Sequence, residues 1–265
     1  MSEPKEKTVF RRFEGKSVMV TGAGTGFGAE IAVRAAREGA ATVIVHYNSS
    51  RAGAERTAER VAEAGAKPVV VQGDITSYAD IKRMAETAFA ETGGLDVLVN
   101  NVGDIDTNTM SWKELTEEAI DRVLAVDIKG TMLMVHEFGQ RMVERGHGAI
   151  VNIGSTVVVR GSARAPHYAA GKYGLLGITK SYAAAFAPAV RVNVFAPGFM
   201  ETESTLNRKD WKEGRRETLL SLTPMKHIPK PEELAGTALF LATEDASHMT
   251  GTYVISDGGF NMVGA

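Results

Sequence analysis

The sequence contains no cysteine. That excludes disulfides, thiol nucleophiles and every cysteine-ligated zinc or iron–sulfur site, and it fits a reducing compartment. There is no excess of charge of one sign either: 30 basic against 32 acidic residues leave a formal charge of −2. Such a balance offers no global attraction to nucleic acid or to an anionic membrane. Long apolar runs are missing as well, and none approaches the ~18–20 residues of a membrane helix. The opening MSEPKEKTVFRRFEGKS is too charged for a signal peptide, so residues 1–12 are expected to be a mobile tail. The six histidines, His46, His136, His147, His167, His227 and His248, include no helical His-x3-His pair, and no metal is expected. These absences leave a cytoplasmic enzyme or binding protein with no membrane or nucleic-acid partner.

What is present is a chain of 265 residues, 44% of them hydrophobic. A chain of this length buries roughly 70–75% of its unfolded surface and needs no staples. Short runs rich in Val and Ile fall at 17–21, 42–45, 68–71, 97–99, 149–153, 190–195 and 253–255. They lack strict alternation, as strands covered on both faces do. Helical patterns lie between them, at 29–38, 52–64, 78–92, 116–145, 168–186 and 231–243. This alternation predicts one α/β domain over 13–265, a doubly wound, Rossmann-type parallel sheet of about seven strands with helices on both faces. Residues 199–223 mix Phe199, Met200, Leu206, Trp211, Leu219, Leu220 and Leu222 with many charges. They follow a strand, where ligands of open α/β sheets bind, and are expected to form a lid over a mostly apolar pocket.

The segment TGAGTGFG at 21–28 lies between a strand and a helix. Glycines at Gly22, Gly26 and Gly28 allow a sharp turn and close approach to a pyrophosphate at a helix N-terminus. The end of the second strand, His46-Tyr47-Asn48-Ser49-Ser50-Arg51, holds no acid to bind a ribose 2′-hydroxyl. Tyr47, Asn48, Ser49 and Arg51 instead suit a 2′-phosphate, which predicts NADP(H) over NAD(H). Asp74, after the third strand, suits either an adenine contact or a helix cap. Tyr168 and Lys172 stand one helical turn apart on one face. A free phenol titrates near pH ~10. A cation about 4 Å away attracts the phenolate by about 4 kcal/mol at an effective dielectric of ~20, enough to make it useful in acid–base work near neutrality. A second Tyr-x3-Lys pair, Tyr78 and Lys82, lacks what Tyr168 has: a hydroxyl, Ser155, at a strand end thirteen residues earlier. Strand end and helix face can converge so that both hydroxyls share one substrate oxygen.

Taken together, TGAGTGFG, Gly73-Asp74-Ile75, Asn100-Asn101-Val102-Gly103, Ser155, Tyr168-x3-Lys172, PGFMET at 197–202 and DGG at 257–259 resemble the compact branch of the short-chain dehydrogenase/reductase family, from Phe13 to Gly259. The resemblance implies hydride transfer between a nicotinamide and a carbonyl/alcohol pair. It implies Tyr168 as general acid/base, Ser155 as the group that orients the substrate oxygen, and Lys172 as ribose ligand and activator of Tyr168. It also implies cofactor contacts at Gly22, Thr25, Phe27, Asp74, Ile75, Asn101, Gly103, Pro197, Gly198, Met200 and Thr202, and a homodimer or homotetramer joined through 116–145 and 251–265. Two positions depart from the family pattern. Val102 stands where Ala is usual, and Asp127 where Asn usually holds a proton-relay water. Asp127 could keep that role or could pair with Lys172 and weaken its pull on Tyr168. The expected substrate is an apolar ketone or secondary alcohol, a 3-oxoacyl group among the candidates, met by Val102, Ile105 and Val157–Val159. The alternative is a catalytically silent nucleotide sensor on the same fold.

Overall fold

The seven Val/Ile-rich runs all form strands, and every one lies parallel to its neighbours. A computed structural model describes residues 10–104 and 111–262. The strands are β1 Ser17–Val20, β2 Thr42–Tyr47, β3 Lys67–Gln72, β4 Val97–Asn100, β5 Gly148–Ile153, β6 Val190–Pro197 and β7 Tyr253–Ser256. Their order in the sheet is β3-β2-β1-β4-β5-β6-β7. The order reverses between β1 and β4, whose register pairs Val18 with Val97 and Val20 with Val99. A reversal of this kind opens a crevice at the carboxyl ends of the two strands. The glycine-rich turn leaves β1 there, and Asn101–Gly103 leaves β4 beside it.

The main helices are α1 Gly26–Arg37, α2 Arg51–Glu63, α3 Tyr78–Thr92, α4 Glu117–Val123, α5 Thr131–Arg145, α6 Val157–Arg160, α7 Pro166–Phe186, α8 Glu203–Asn207, α9 Arg216–Leu222 and α10 Pro231–Phe240. Side chains of a strand alternate between faces. Val18, Val20, Val43, Val45, Val97 and Val99 therefore enter one core, with residues of α1 and α10 such as Ile31 and Leu239. Met19, Ile44, Leu98 and Ile150 enter the other, with Met84 of α3, Phe138 of α5 and Ile178 of α7. Each layer of helices thus buries one parity of the same strands, which is why the runs read as continuously apolar.

Two expectations are revised. The stretch 116–145 is not one regular helix: Leu124–Gly130, between α4 and α5, is π-helical, and Asp127 sits inside it. π-helical turns re-aim side chains and recur at functional sites. Arg12, placed in the expected tail, is tied to the domain. Residues 1–9 lie outside the described residues, but the Arg12 guanidinium donates to both oxygens of buried Glu38, at 2.6 and 2.7 Å, and Phe13 is buried beneath the sheet.

A buried polar chain ties α7 to the sheet. Asn100 donates its amide to Asn152 Oδ1 (2.9 Å), and Asn152 donates to Thr179 Oγ1 (2.9 Å). Buried amides must be satisfied, so this chain fixes the rotation of α7 against β4 and β5.

Candidate active site

The glycine-rich turn is held from three sides. Asn101 donates its side-chain amide to Thr21 O (3.0 Å), while Thr21 Oγ1 accepts from the backbone N–H groups of Asn101 (2.9 Å) and Val102 (3.1 Å). Gly28 must be glycine, because a Cβ there would lie 2.5 Å from both Asn101 Nδ2 and Gly22 O. Gly22 has φ +63°, and its N–H donates to Nδ1 of buried His46 at 3.1 Å. The ring's other nitrogen, Nε2, meets Gly73 O at 3.0 Å, so it carries the proton. His46 therefore clamps the turn to the end of β3.

α1 begins at Gly26 with no side-chain cap from Thr25 and no acid in its first turn. Its first N–H groups are left for an anion, which fits the pyrophosphate of a dinucleotide. Thr25 is exposed at this mouth, but Phe27 points its ring into the core against Phe195, so only its backbone can serve a cofactor. Ile75 is likewise a core residue, while Asp74 Oδ1 accepts from Thr76 N–H and Oγ1–H, both at 2.8 Å. Tyr47 ends β2, Asn48, Ser49 and Arg51 are exposed in the turn into α2, and Arg51 is paired with Glu55 at 2.8 Å. Gly53 packs so tightly on the turn that a Cβ would lie 2.4 Å from Gly24 O. The start of α2 and the glycine turn therefore form one surface.

Ser155 and Tyr168 line one cavity of about 380 Å3, together with Val157, Pro197, Gly198, Phe199, Met200, Thr202 and Phe260. Lys172 is buried beneath it. Its Nζ donates to Ile153 O (3.3 Å), lies 3.5 Å from Asp127 Oδ2 and sits 5.6 Å from the centre of the Tyr168 ring. Asp127 is fully buried, and its Oδ1 accepts from Asp104 N–H at 3.0 Å. Burial raises its pKa above the ordinary carboxylate value, and the Lys172 ammonium partly offsets that rise. The Asp127 carboxylate stands as an ion-pair partner of Lys172.

Glycines make that pair sterically feasible. A Cβ on Gly103 would lie 2.6 Å from Lys172 Nζ, and one on Gly171 would lie 3.0 Å from Asp127 Cβ. Gly174 likewise receives Ile128 of the π-helical segment. The competing pair Tyr78–Lys82 is structural: Tyr78 donates to Glu137 (3.0 Å), and Lys82 rests over its ring. Val102 packs on the core beside Gly22. Ile105 lies outside the described residues. Thr202 caps α8 by accepting from Thr205 N–H (3.1 Å), and Gly198 packs against Asp257. Among the described residues no acid/histidine cluster could hold a metal, and no helix is long and apolar enough to cross a membrane.

Sequence reasoning missed three features. Tyr253 of β7 donates its hydroxyl to Ser155 O and so positions the Ser155 backbone; burial pushes its own pKa up. His46 was one histidine among six, although a histidine at the end of the buried run VIVHY is itself a signal. The cavity beside 199–223 is mostly apolar, as expected, but the three arginines that line it, Arg160, Arg208 and Arg215, were not foreseen.

The chain matches a family model described as enoyl-(acyl carrier protein) reductase over residues 22–261. It is a short-chain dehydrogenase/reductase. It is 37% identical to the 3-oxoacyl-[acyl-carrier-protein] reductase FabG of Thermotoga maritima, over 94% of this chain and 98% of that one. It is 35% identical to the D-threitol dehydrogenase of Mycolicibacterium smegmatis, over 95% of each chain. A solved Serratia marcescens short-chain dehydrogenase/reductase superposes with a TM-score of 0.85 at 33% identity, covering 94% of this chain and 99% of that one. The protein is accordingly an oxidoreductase of a family that uses nicotinamide cofactors and acts on CH–OH and C=O groups.

The His46 clamp makes a pH prediction. Burial lowers its pKa below the usual 6.5, outweighing the hydrogen bond to Gly73 O. The neutral ring is the form that accepts from Gly22, so its contribution is complete above pH ~6.5 and is lost as pH falls through the lower folded value. Thermal melts from pH 8 to 5 should show Tm falling on the acid side. His46→Gln should lower Tm at pH 8 but flatten that slope; a variant with the parent's slope would assign the acid sensitivity elsewhere.

Proposed function

We propose that this dehydrogenase/reductase transfers hydride between NADP(H) and a carbonyl/secondary alcohol whose reacting carbon lies among Val157, Phe199, Met200 and Phe260. The observation that carries the reading is Ser155 and Tyr168 opening onto one cavity with the buried Lys172 ammonium against the Tyr168 ring. In this reading the nicotinamide gives or takes the hydride. Tyr168 gives its phenolic proton to the developing alkoxide, or takes it from an alcohol, and Ser155 donates a hydrogen bond to the same oxygen. Lys172 sets a positive charge beside the Tyr168 ring and would bind the nicotinamide ribose. Gly22, Thr25, Gly26, Gly28 and the backbone of Phe27 cradle the pyrophosphate. Asp74, Asn101, Val102 and Gly103 border the adenosine half, while Pro197, Gly198, Met200 and Thr202 hold the carboxamide end. Residues 199–223 act as the lid.

The NADP(H) preference rests on the outer mouth: no acid stands in 46–51 at the end of β2, and exposed Arg51 is tied to exposed Glu55, a weak pair that a phosphate can displace. Titration with NADPH and with NADH, followed by nicotinamide fluorescence, should show NADPH tighter, and Arg51→Ala should reduce the preference by about tenfold. Tighter NADH would overturn the cofactor assignment. An unchanged ratio in Arg51→Ala would remove Arg51 from it, and failure to bind either would sink hydride transfer.

A second reading, a nucleotide sensor without turnover, draws on one observation: the Asp127 carboxylate beside Lys172. An ionised Asp127 opposes the cation's effect on the phenol. In Asp127→Asn the ascending limb of the pH–rate profile for alcohol oxidation should move to lower pH. Superimposable profiles would show that the charge does not reach Tyr168, and turnover by the parent ends the sensor reading.

The protein is further proposed to be a cytoplasmic homo-oligomer. Leu124, Met132 and Val143 on 116–145, with Ile255 and Met262 at the β7 edge, leave apolar side chains exposed. Residues 263–265 of the expected contact lie outside the described residues. Light scattering over a dilution series should report a dimer or tetramer; a monomer throughout would overturn this assembly.

A further inference from the structure

We propose that the cavity wall built from α8 to α9 binds a carboxylate on the substrate, so that the carbonyl compound handled at Tyr168 is an oxo acid. The oxo half of this assignment rests on the hydride-transfer reading above; the acid half stands on the wall itself. Arg208 and Arg215 line the same cavity as Ser155 and Tyr168. Between them stands one carboxylate, Asp210. Arg208 grips it with two hydrogen bonds, Nε to Oδ1 at 3.0 Å and a terminal nitrogen to Oδ2 at 2.8 Å. Arg215 Nε lies 3.5 Å from the same Oδ2, which also accepts from Arg164 at 3.1 Å.

Among the described residues Asp210 is the one carboxylate that meets Arg208 and Arg215, two of the three guanidiniums lining the cavity, and these two share a net positive charge. Pinning this short segment in place needs only one guanidinium per carboxylate. The surplus is not freely solvated, because the Arg208 side chain is 17% exposed and that of Arg215 is 29%. Asp210 is held at about 2, chiefly by the Arg208 hydrogen bonds. The Arg215 pKa is lowered, by burial first and by Arg164 next. The Arg215 guanidinium also lies over the Phe199 ring at 5.6 Å, which holds its plane in the wall. A partly buried, oriented guanidinium of this kind recognises planar carboxylates through paired hydrogen bonds.

A separate observation points the same way. Trp211 lines this wall and is buried, and its indole N–H has no hydrogen-bond acceptor. Buried donors are normally satisfied, so this wall carries an unmet donor beside its surplus positive charge. Phe199, Met200 and Phe260 line the rest of the cavity, which suits the hydrocarbon that would join the carboxylate to the carbonyl.

The test uses a series of oxo acids of about five to ten carbons, with their methyl esters as uncharged controls. Affinities are measured by calorimetry on the protein saturated with NADP+ and on the protein alone. For at least one chain length the acid should bind about tenfold or more tighter than its ester. Arg215→Met should bring that ratio toward one, and Arg215→Lys, which keeps the charge, should retain part of it. Equal affinity for acid and ester at every length would overturn the proposal, as would a ratio unchanged in both Arg215→Met and Arg208→Met. If a methionine variant does not fold, the parent's acid-to-ester ratio decides by itself. NADPH oxidation is followed in parallel to keep the two readings apart. Selective acid binding with no turnover would uphold the carboxylate wall and reject hydride transfer. Equal turnover of acid and ester with equal affinity would do the reverse.

Discussion

A buried ammonium has to be held, and the way Lys172 is held organises the active site. Its Nζ reaches the Ile153 carbonyl at the end of β5 on one side and the Asp127 carboxylate on the other. Removing one partner of such a buried pair typically costs about 3–5 kcal/mol, because the remaining charge is stranded. The lysine therefore couples the sheet, α7 and the π-helical segment before any cofactor is considered. The π-helical turn brings Asp127 inward, and Gly171 and Gly174 on α7 make room for it. Gly103 closes the far side, where any larger residue would collide with Nζ.

The sheet's switch point supplies the other half of the site by the same economy of buried polar groups. Thr21, Asn101 and His46 use their hydrogen-bonding atoms to hold the turn after β1 against β4 and β3. That leaves the first N–H groups of α1 without internal partners and facing the crevice. On the sheet's other side the Asn100–Asn152–Thr179 chain locks α7, and with it the azimuth of Tyr168 and Lys172. The geometry of the candidate site follows from this pairing of buried polar groups, though Asn100 Oδ1 finds no partner among the described residues.

Much of this was legible in the residues. The strands stood out because both faces are covered and the runs are continuously apolar. Tyr168 could be told from its decoy Tyr78 because Ser155 ends a strand at the right distance. Other features were not legible, for identifiable reasons. Phe27 and Ile75 lie within cofactor motifs, but their side chains enter the core while their backbones stay at the mouth. Tyr253 acts on Ser155 from 98 residues away through a hydroxyl-to-carbonyl bond that leaves no local pattern. The π-helical turn has the same apolar periodicity over a few residues as an ordinary helix, so 116–145 read as continuous.

The sequence alone determined the parallel α/β architecture, the order of its elements and the residue types of the reaction centre, because periodicity and glycine spacing are local properties of the chain. Tertiary structure decided whom each charged group meets. Asp127 lies beside Lys172 because the approach of α7 brings the two together. Arg208 and Arg215 are two of the many charges in 199–223, and only folding placed both in a cavity wall around a single carboxylate. Electrostatic pairing depends on distance and burial in three dimensions, and neither is encoded in the spacing of residues along the chain.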